Sequence, residues 1–154
     1  MTLISVVSRS LLALLAAPLI AAHAAPTAEP DLARYRHASA CVAVLKQDAS
    51  ALADRYHEGA TAVKPDVVRL TEQGFAFVGT AYKDGLRNPQ ADQLLQEAEH
   101  WLNGQPTSAQ RQLSSDCQAE GSKLLSRSNV LERALVSNRA RSRVDKLLAP
   151  PKTE

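Results

Sequence analysis

The sequence predicts an all-α protein, a four- to five-helix, up-and-down bundle stapled by one disulfide. Apolar side chains recur at spacings of three and four positions along most of the chain, which is typical of amphipathic helices. Aromatic residues make up only 4% of the sequence, whereas strands of a β-sandwich prefer branched and aromatic side chains. The only two cysteines, Cys41 and Cys117, follow an export signal, and an even number of cysteines in an exported chain predicts pairing.

The first 24 residues have the pattern of a secretory signal peptide. Arg9 supplies positive charge near the amino end, and an apolar run follows from 11 to 22. Small residues at Ala22 and Ala24 form a plausible cleavage site. We therefore expect export, with the mature protein periplasmic or secreted.

The apolar run does not predict a permanent membrane anchor. A spanning helix needs roughly 20 residues, and Pro18 interrupts this shorter run. An uncleaved anchor is the weaker alternative. The mature chain has no other apolar stretch that could cross a bilayer, so we expect no transmembrane span in it.

The rest of the chain has the composition of an ordinary globular domain. Hydrophobic residues are 45% and charged residues 22% of the sequence, and a mature chain of about 130 residues suits a single core. Beyond the signal peptide over 1–24, we expect a flexible leader over 25–30, a single helical domain over 31–149 and a tail over 150–154.

The first helix is predicted over 31–58. Its apolar residues are spaced alternately three and four positions apart, as in the seam of a helix packed in a bundle. Cys41 flanks this seam, and Gly59 is expected to end the helix. The seam consists of Tyr35, Ala38, Val42, Leu45, Ala49, Leu52 and Tyr56.

The second and third helices are predicted over 65–82 and 88–103. Gly74 and Gly79 each cost the second helix on the order of 1 kcal/mol relative to alanine, so we expect them to serve the close approach of a neighbouring helix. Asn88 is the expected cap of the third helix, with Pro89 as its first helical residue and Gly104 after its end. Their predicted inner faces contain Val67, Leu70, Gly74, Phe77 or Val78, and Ala81 in the second helix, and Ala91, Leu94, Leu95, Ala98 and Leu102 in the third.

The fourth helix is predicted to begin with a capping box formed by Thr107 and Gln110. Cys117 lies on its apolar stripe, so a Cys41–Cys117 disulfide would join the first helix to the fourth. In the chain-entropy model a loop of this length gives about 4.5 kcal/mol of stabilisation. A fifth helix follows, with Asn129 and Glu132 as a weaker cap pair.

Positive charge is concentrated at the carboxyl end. The segment 25–120 has a net charge of −4, from nine Lys and Arg against thirteen Asp and Glu, whereas 121–154 has +5, from eight against three. Arg139, Arg143 and Lys146 share one side of the fifth helix. This strip is either a solvated face, which the helix dipole favours, or a docking surface for an acidic partner, an anionic lipid surface or a polyanion. No aromatic residues interleave with the arginines, so we do not expect nucleic-acid binding.

The two cysteines and the polar residues near them in sequence could together supply the ligands of a metal site. His37 precedes Cys41 by four positions and Glu120 follows Cys117 by three, so all four side chains together would supply four ligands. In an oxidising compartment the disulfide is the favoured outcome. We therefore expect no metal and no cofactor, with His37 kept as a weak candidate ligand.

Two further histidines follow a carboxylate by three positions. His57 follows Asp54 and His100 follows Glu97, which is the spacing of half a carboxylate-bridged di-iron site in a helical bundle. Both pairs lie away from the apolar stripe of their own helix, so we interpret them as solvated. His57 and His100 are likewise weak candidate ligands.

No catalytic residue is predicted, because the sequence contains no nucleophile elbow, no dinucleotide-binding glycine motif and no phosphate-binding lysine motif. We expect a protein that is not an enzyme and that recognises another envelope or secreted protein, as an inhibitor, immunity protein or chaperone-like adaptor. The alternatives are a metal-binding or metal-sensing bundle and an enzyme with an unrecognised carboxylate pair.

Overall fold

The computed structural model describes residues 29–150 of the chain. This part consists of five α-helices and one short 3-10 helix and contains no strand. The predicted all-α bundle is therefore confirmed. The helices are α1 (Glu29–His57), α2 (Lys64–Lys83), α3 (Asn88–Asn103), α4 (Thr107–Arg127) and α5 (Val130–Leu147), with the 3-10 helix at Thr61–Val63.

Helices α1 and α2 form a central hairpin to which the other helices attach. Helix α3 packs against α1, α4 packs against both α1 and α2, and α5 packs mainly against α2. Lys64 at the start of α2 pairs with Asp145 near the end of α5, and Lys83 at the end of α2 pairs with Glu132 near the start of α5. Helix α5 is thus antiparallel to α2, in agreement with the up-and-down order.

The core of α1 is wider than the predicted seam. Tyr35, Leu45 and Ala49 are buried as the seam predicts, but Val44 and Ala53 are buried as well. The reason is that α1 has neighbours on several sides, so more than one of its faces is covered. Other seam residues are only partly buried, namely Ala38, Val42, Leu52 and Tyr56.

The predicted disulfide between Cys41 and Cys117 is confirmed. The two Cα atoms lie 5.3 Å apart, within the range that a disulfide requires. Both cysteines are completely buried in the main hydrophobic cluster. The bridge joins the middle of α1 to the middle of α4.

The expected role of two glycines is wrong. A Cβ atom added at Gly74 or Gly79 would meet nothing within 4 Å, so neither glycine serves a close helix contact. Gly121 has that role instead, because a Cβ there would lie 2.8 Å from the Cβ of Gln73 on α2. Gly59, with φ of +103°, lies in the turn after α1, as expected of a glycine that ends a helix.

The helix caps agree with the sequence in one case out of three. Asn129 and Glu132 form a complete capping box at the start of α5. The box predicted at Thr107 is absent, because Thr107 is already helical and Gln110 instead donates to the carbonyl oxygens of Leu102 and Gln105. Asn88 does not cap the third helix as expected, because it is already the first residue of that helix.

Several expectations fall outside the described residues. These include the signal peptide over 1–24, the leader up to residue 28 and the tail from residue 151. The last two residues of the predicted leader, 29 and 30, belong to α1. Among the described helices, none has both the length and the apolar character that a membrane crossing requires.

Candidate functional site

A large surface groove lies between α2 and α5, and we call it the α2–α5 groove. Its volume is about 550 Å³. Its apolar lining comes from both helices, including Phe75 and Val78 of α2 and Leu135 and Val136 of α5. Gly79 also lines it, and the absence of a side chain there keeps the floor open.

The groove exists because α5 packs tightly along only part of its length. Ala140 and Val144, in its carboxyl-terminal half, are completely buried. In contrast, Val130, Leu131 and Leu135 near its amino end are 75%, 71% and 52% exposed. A helix that buries one end and exposes apolar residues at the other leaves an unfilled apolar surface beside its partner.

A second cavity of about 200 Å³, the α1–α2 groove, lies next to the first. Phe75 and Val78 line both cavities, which makes them adjacent. Its remaining lining includes Val42 and Leu45 of the α1 seam and Gly74 of α2. The partly exposed seam residue Val42 and the open space at Gly74 therefore belong to the same apolar surface.

The predicted basic strip meets this surface at two of its three residues. Arg139 lines the α2–α5 groove and Arg143 lines the α1–α2 groove, whereas Lys146 lines neither. All three side chains are exposed. Within residues 29–150, no ion pair includes any of them.

The other cations at the grooves are neutralised. Lys83 lies 2.9 Å from Glu132 and Lys46 lies 2.6 Å from Glu99. The hydrogen bonds from the Lys83 ammonium and the Asn129 backbone N–H hold the pKa of Glu132 below its ordinary value of 4.5. Arg139 and Arg143 are thus the uncompensated charges beside the apolar surface, as far as the described residues show.

The four residues that the sequence suggests as possible metal ligands lie together around the disulfide. His37 Nε2 lies 2.8 Å from Glu120 Oε2 and 3.8 Å from Cys41 Sγ. The donor atoms of His37, Cys41 and Glu120 all lie within 4.8 Å of one another, and Cys117 is bonded to Cys41. We call these four residues the disulfide cluster.

The other two histidines are placed away from any comparable cluster. His57 and His100 are exposed, as are Asp54 and Glu97. His57 Nε2 lies 3.2 Å from the carbonyl oxygen of Leu147. In the described part of the chain, neither histidine belongs to a group of three or more metal-ligand side chains.

The exposed apolar end of α5 was not predicted from the sequence. A signal was available, because Leu131 and Leu135 lie on one face of the helix while Val136, Ala140 and Val144 lie on another. Only one of these faces can pack against α2. Trp101 is also half exposed, although a lone tryptophan in a helical bundle is more often a core residue.

Comparison of the chain with protein-family models, with curated proteins and with solved structures gives no match.

Proposed function

We propose that this protein acts by non-catalytic protein–protein recognition in the cell envelope, by holding an acidic amphipathic helix of another exported protein. The observation that carries the proposal is the apolar surface of two adjacent grooves, of which the α2–α5 groove is lined by Arg139 and the α1–α2 groove by Arg143. Neither arginine has an acidic partner among the described residues. The predicted signal peptide is the reason for placing this contact in the cell envelope. Such a contact would serve an inhibitor, an immunity protein or a chaperone-like adaptor.

The apolar surface supports a protein ligand. Contiguous exposed apolar surface rimmed by polar residues is typical of protein-interaction sites. A groove between two helices accepts the apolar face of a third helix, whose anchor residues recur at spacings of three and four. Phe75 and Val78 on the floor and Leu135 on the wall would contact those anchors.

The charges select an acidic ligand. Arg139 and Arg143 are one helical turn apart and exposed on α5. Carboxylates one turn apart on the partner helix would face them. Such pairs at the rim mainly raise the association rate and the specificity, and they make binding sensitive to salt. An anionic membrane surface would use the arginines but would not need the groove.

The test uses two soluble helical peptides with one apolar face in common and either glutamates or lysines on the other face. We expect the glutamate peptide to bind the mature protein about tenfold or more tightly than the lysine peptide, as measured by fluorescence anisotropy. Arg139→Glu with Arg143→Glu should abolish this preference. Arg133→Glu with Arg141→Glu is the matched control, because these arginines are also exposed on α5 but line neither groove.

Equal weakening by both double variants would show that only net charge matters, and the proposed site would be wrong. Binding of anionic vesicles by the wild type, with no preference between the peptides, would point to a membrane surface instead. If the proposal holds, the same variants identify the natural partner. It is the envelope protein whose cross-link is lost in the first double variant and kept in the second.

A further inference from the structure

We infer that reduction of the Cys41–Cys117 bond turns the disulfide cluster into a binding site for a thiophilic divalent cation such as Zn²⁺. The inference concerns α1 and α4 and does not depend on the proposed function. The reduced cluster offers two thiolates, one imidazole and one carboxylate, which is a full ligand set for a four-coordinate ion.

The distances in the cluster already approach those of a metal site. Around a tetrahedral ion, with sulfur at about 2.3 Å and nitrogen or oxygen at about 2.0 Å, neighbouring donor atoms lie about 3.3–3.8 Å apart. His37 Nε2 lies 3.8 Å from Cys41 Sγ and 2.8 Å from Glu120 Oε2. The Cys41 and Glu120 donor atoms also lie within 4.8 Å of each other. After reduction the two sulfur atoms would have to separate to about 3.8 Å by side-chain rotation to admit the ion.

The oxidised protein lacks this site because both sulfur atoms are committed to each other. Only His37 and Glu120 are left as ligands, and they are hydrogen-bonded to one another. Reduction adds two electrons and two protons and yields two thiols. A dithiol supplies both the electrons and the protons, whereas a phosphine supplies the electrons and water supplies the protons. Binding of the cation then releases both thiol protons, because thiolate is the ligand form.

The burial of the cluster sets the route for the ion. The side chains of His37 and Glu120 are 51% and 45% exposed, whereas both cysteines are completely buried. The cation would enter past the imidazole and the carboxylate. A reductant, in contrast, reaches the sulfur atoms only when α1 and α4 separate, so folded oxidised protein should be reduced slowly.

The experiment reduces the mature protein with a water-soluble phosphine in denaturant and refolds it anaerobically with Co²⁺ or Zn²⁺. In this reduction water supplies both thiol protons and the oxygen of the phosphine oxide. We expect about one Co²⁺ per chain, with the sulfur-to-cobalt charge-transfer absorption of thiolate ligation. Oxidised protein treated in the same way should show no such absorption.

Four single variants distinguish a four-ligand site from Co²⁺ binding by the two cysteines alone. His37→Ala and Glu120→Ala should each weaken Co²⁺ binding by about tenfold or more, since even groups that only support a ligand cost that much. His57→Ala and His100→Ala are matched controls, because those histidines are exposed and lie outside the cluster. These two control variants should bind Co²⁺ with the same affinity as the wild type.

Folding provides a second measurement if the reduced chain is unstable without metal. Zn²⁺ should then restore the helical circular dichroism of the reduced wild type and restore less of it in His37→Ala. Equal Co²⁺ affinity in the wild type, His37→Ala and Glu120→Ala would overturn the inference. So would the absence of thiolate–cobalt absorption in reduced wild type.

Discussion

Gly121 of α4 lies directly against Gln73 of α2, with no room for a side chain between the two helices. A Cβ at position 121 would be 2.8 Å from the Cβ and 3.3 Å from the Cα of Gln73. The Gln73 amide is buried and donates to the Gln118 carbonyl oxygen and to Ser122 Oγ. This close approach brings α4 onto the central hairpin at the level of the disulfide cluster.

We predict that Gly121→Ala lowers the free energy of unfolding by about 1–3 kcal/mol, because the methyl group overpacks the contact. The clash involves atoms at or next to the backbone of Gln73, so rotation of a flexible side-chain end cannot relieve it. Urea denaturation of the oxidised protein measures the effect.

Gly74→Ala is the matched control for that variant. It is also a helical glycine, but its added methyl group meets nothing within 4 Å. Alanine should therefore stabilise the protein by about 0.5–1 kcal/mol through helix propensity. Destabilisation of similar size by both variants would contradict the assignment of the close contact to Gly121.

The fold was largely predictable because it depends on local patterns. The spacing of apolar residues located the five helices. The ends of α1, α3 and α4 at residues 57, 103 and 127 are followed by the turn-forming residues Gly59, Gly104 and Ser128. The role of the glycines was not predictable in this way. Gly74, Gly79 and Gly121 look alike in sequence, and only the arrangement of the helices shows which of them has a neighbour.

The candidate site was predictable in its charges and not in its shape. Helical periodicity alone places Arg139 and Arg143 on one side of α5. The groove beside them depends on how far α5 follows α2, which the sequence of α5 does not specify. The disulfide cluster is intermediate. Helical spacing alone places His37 beside Cys41, but His37 meets Glu120 only because the bridge aligns α1 with α4.

The disulfide should provide a large part of the stability of the domain. We predict that Cys41→Ser with Cys117→Ser lowers the free energy of unfolding by about 2–5 kcal/mol. The bridge closes a loop with a sequence separation of 76, and its removal enlarges the conformational freedom of the unfolded chain. Urea denaturation without reductant gives the difference.

Reductant provides the control for this comparison. Wild type that has been reduced and kept free of metal should approach the stability of the double variant, which itself should not respond to the reductant. If the wild type and the double variant unfold at the same urea concentration, the bridge contributes no net stability and this prediction is wrong.

Substitution of Leu135 allows peptide binding in the α2–α5 groove to be tested without a large effect on folding stability. Because it is 52% exposed, Leu135→Glu should change the free energy of unfolding by no more than about 0.5 kcal/mol. The same change places a carboxylate in the apolar wall, so it should weaken binding of the acidic peptide by about tenfold or more. Thermal denaturation and fluorescence anisotropy measure the two effects.

Ala134→Glu is the control for Leu135→Glu, since it adds the same charge to an exposed neighbouring position that does not line the groove. It should leave peptide binding nearly unchanged. Equal weakening by the two variants would show that the peptide does not occupy the groove.

The contacts of Glu132 predict that the stability of the folded protein depends on pH. Its carboxylate accepts hydrogen bonds from the Lys83 ammonium and the Asn129 backbone N–H, and these bonds lower its pKa in the folded protein. The unfolded chain has the ordinary value near 4.5. Because the folded value is the lower one, the stabilisation is complete above the unfolded value and is lost as the pH falls through the folded value.

We therefore predict that wild type is more stable than Glu132→Gln at neutral pH and that the difference shrinks as the solution is acidified below about pH 4.5. Denaturation of both proteins from about pH 3 to about pH 7 measures the difference. Lys83→Met should reduce the pH-dependent part, because it removes the largest cause of the lowered pKa. A difference that stays constant or grows in acid would show that the carboxylate at position 132 is not stabilised by these contacts in the folded protein.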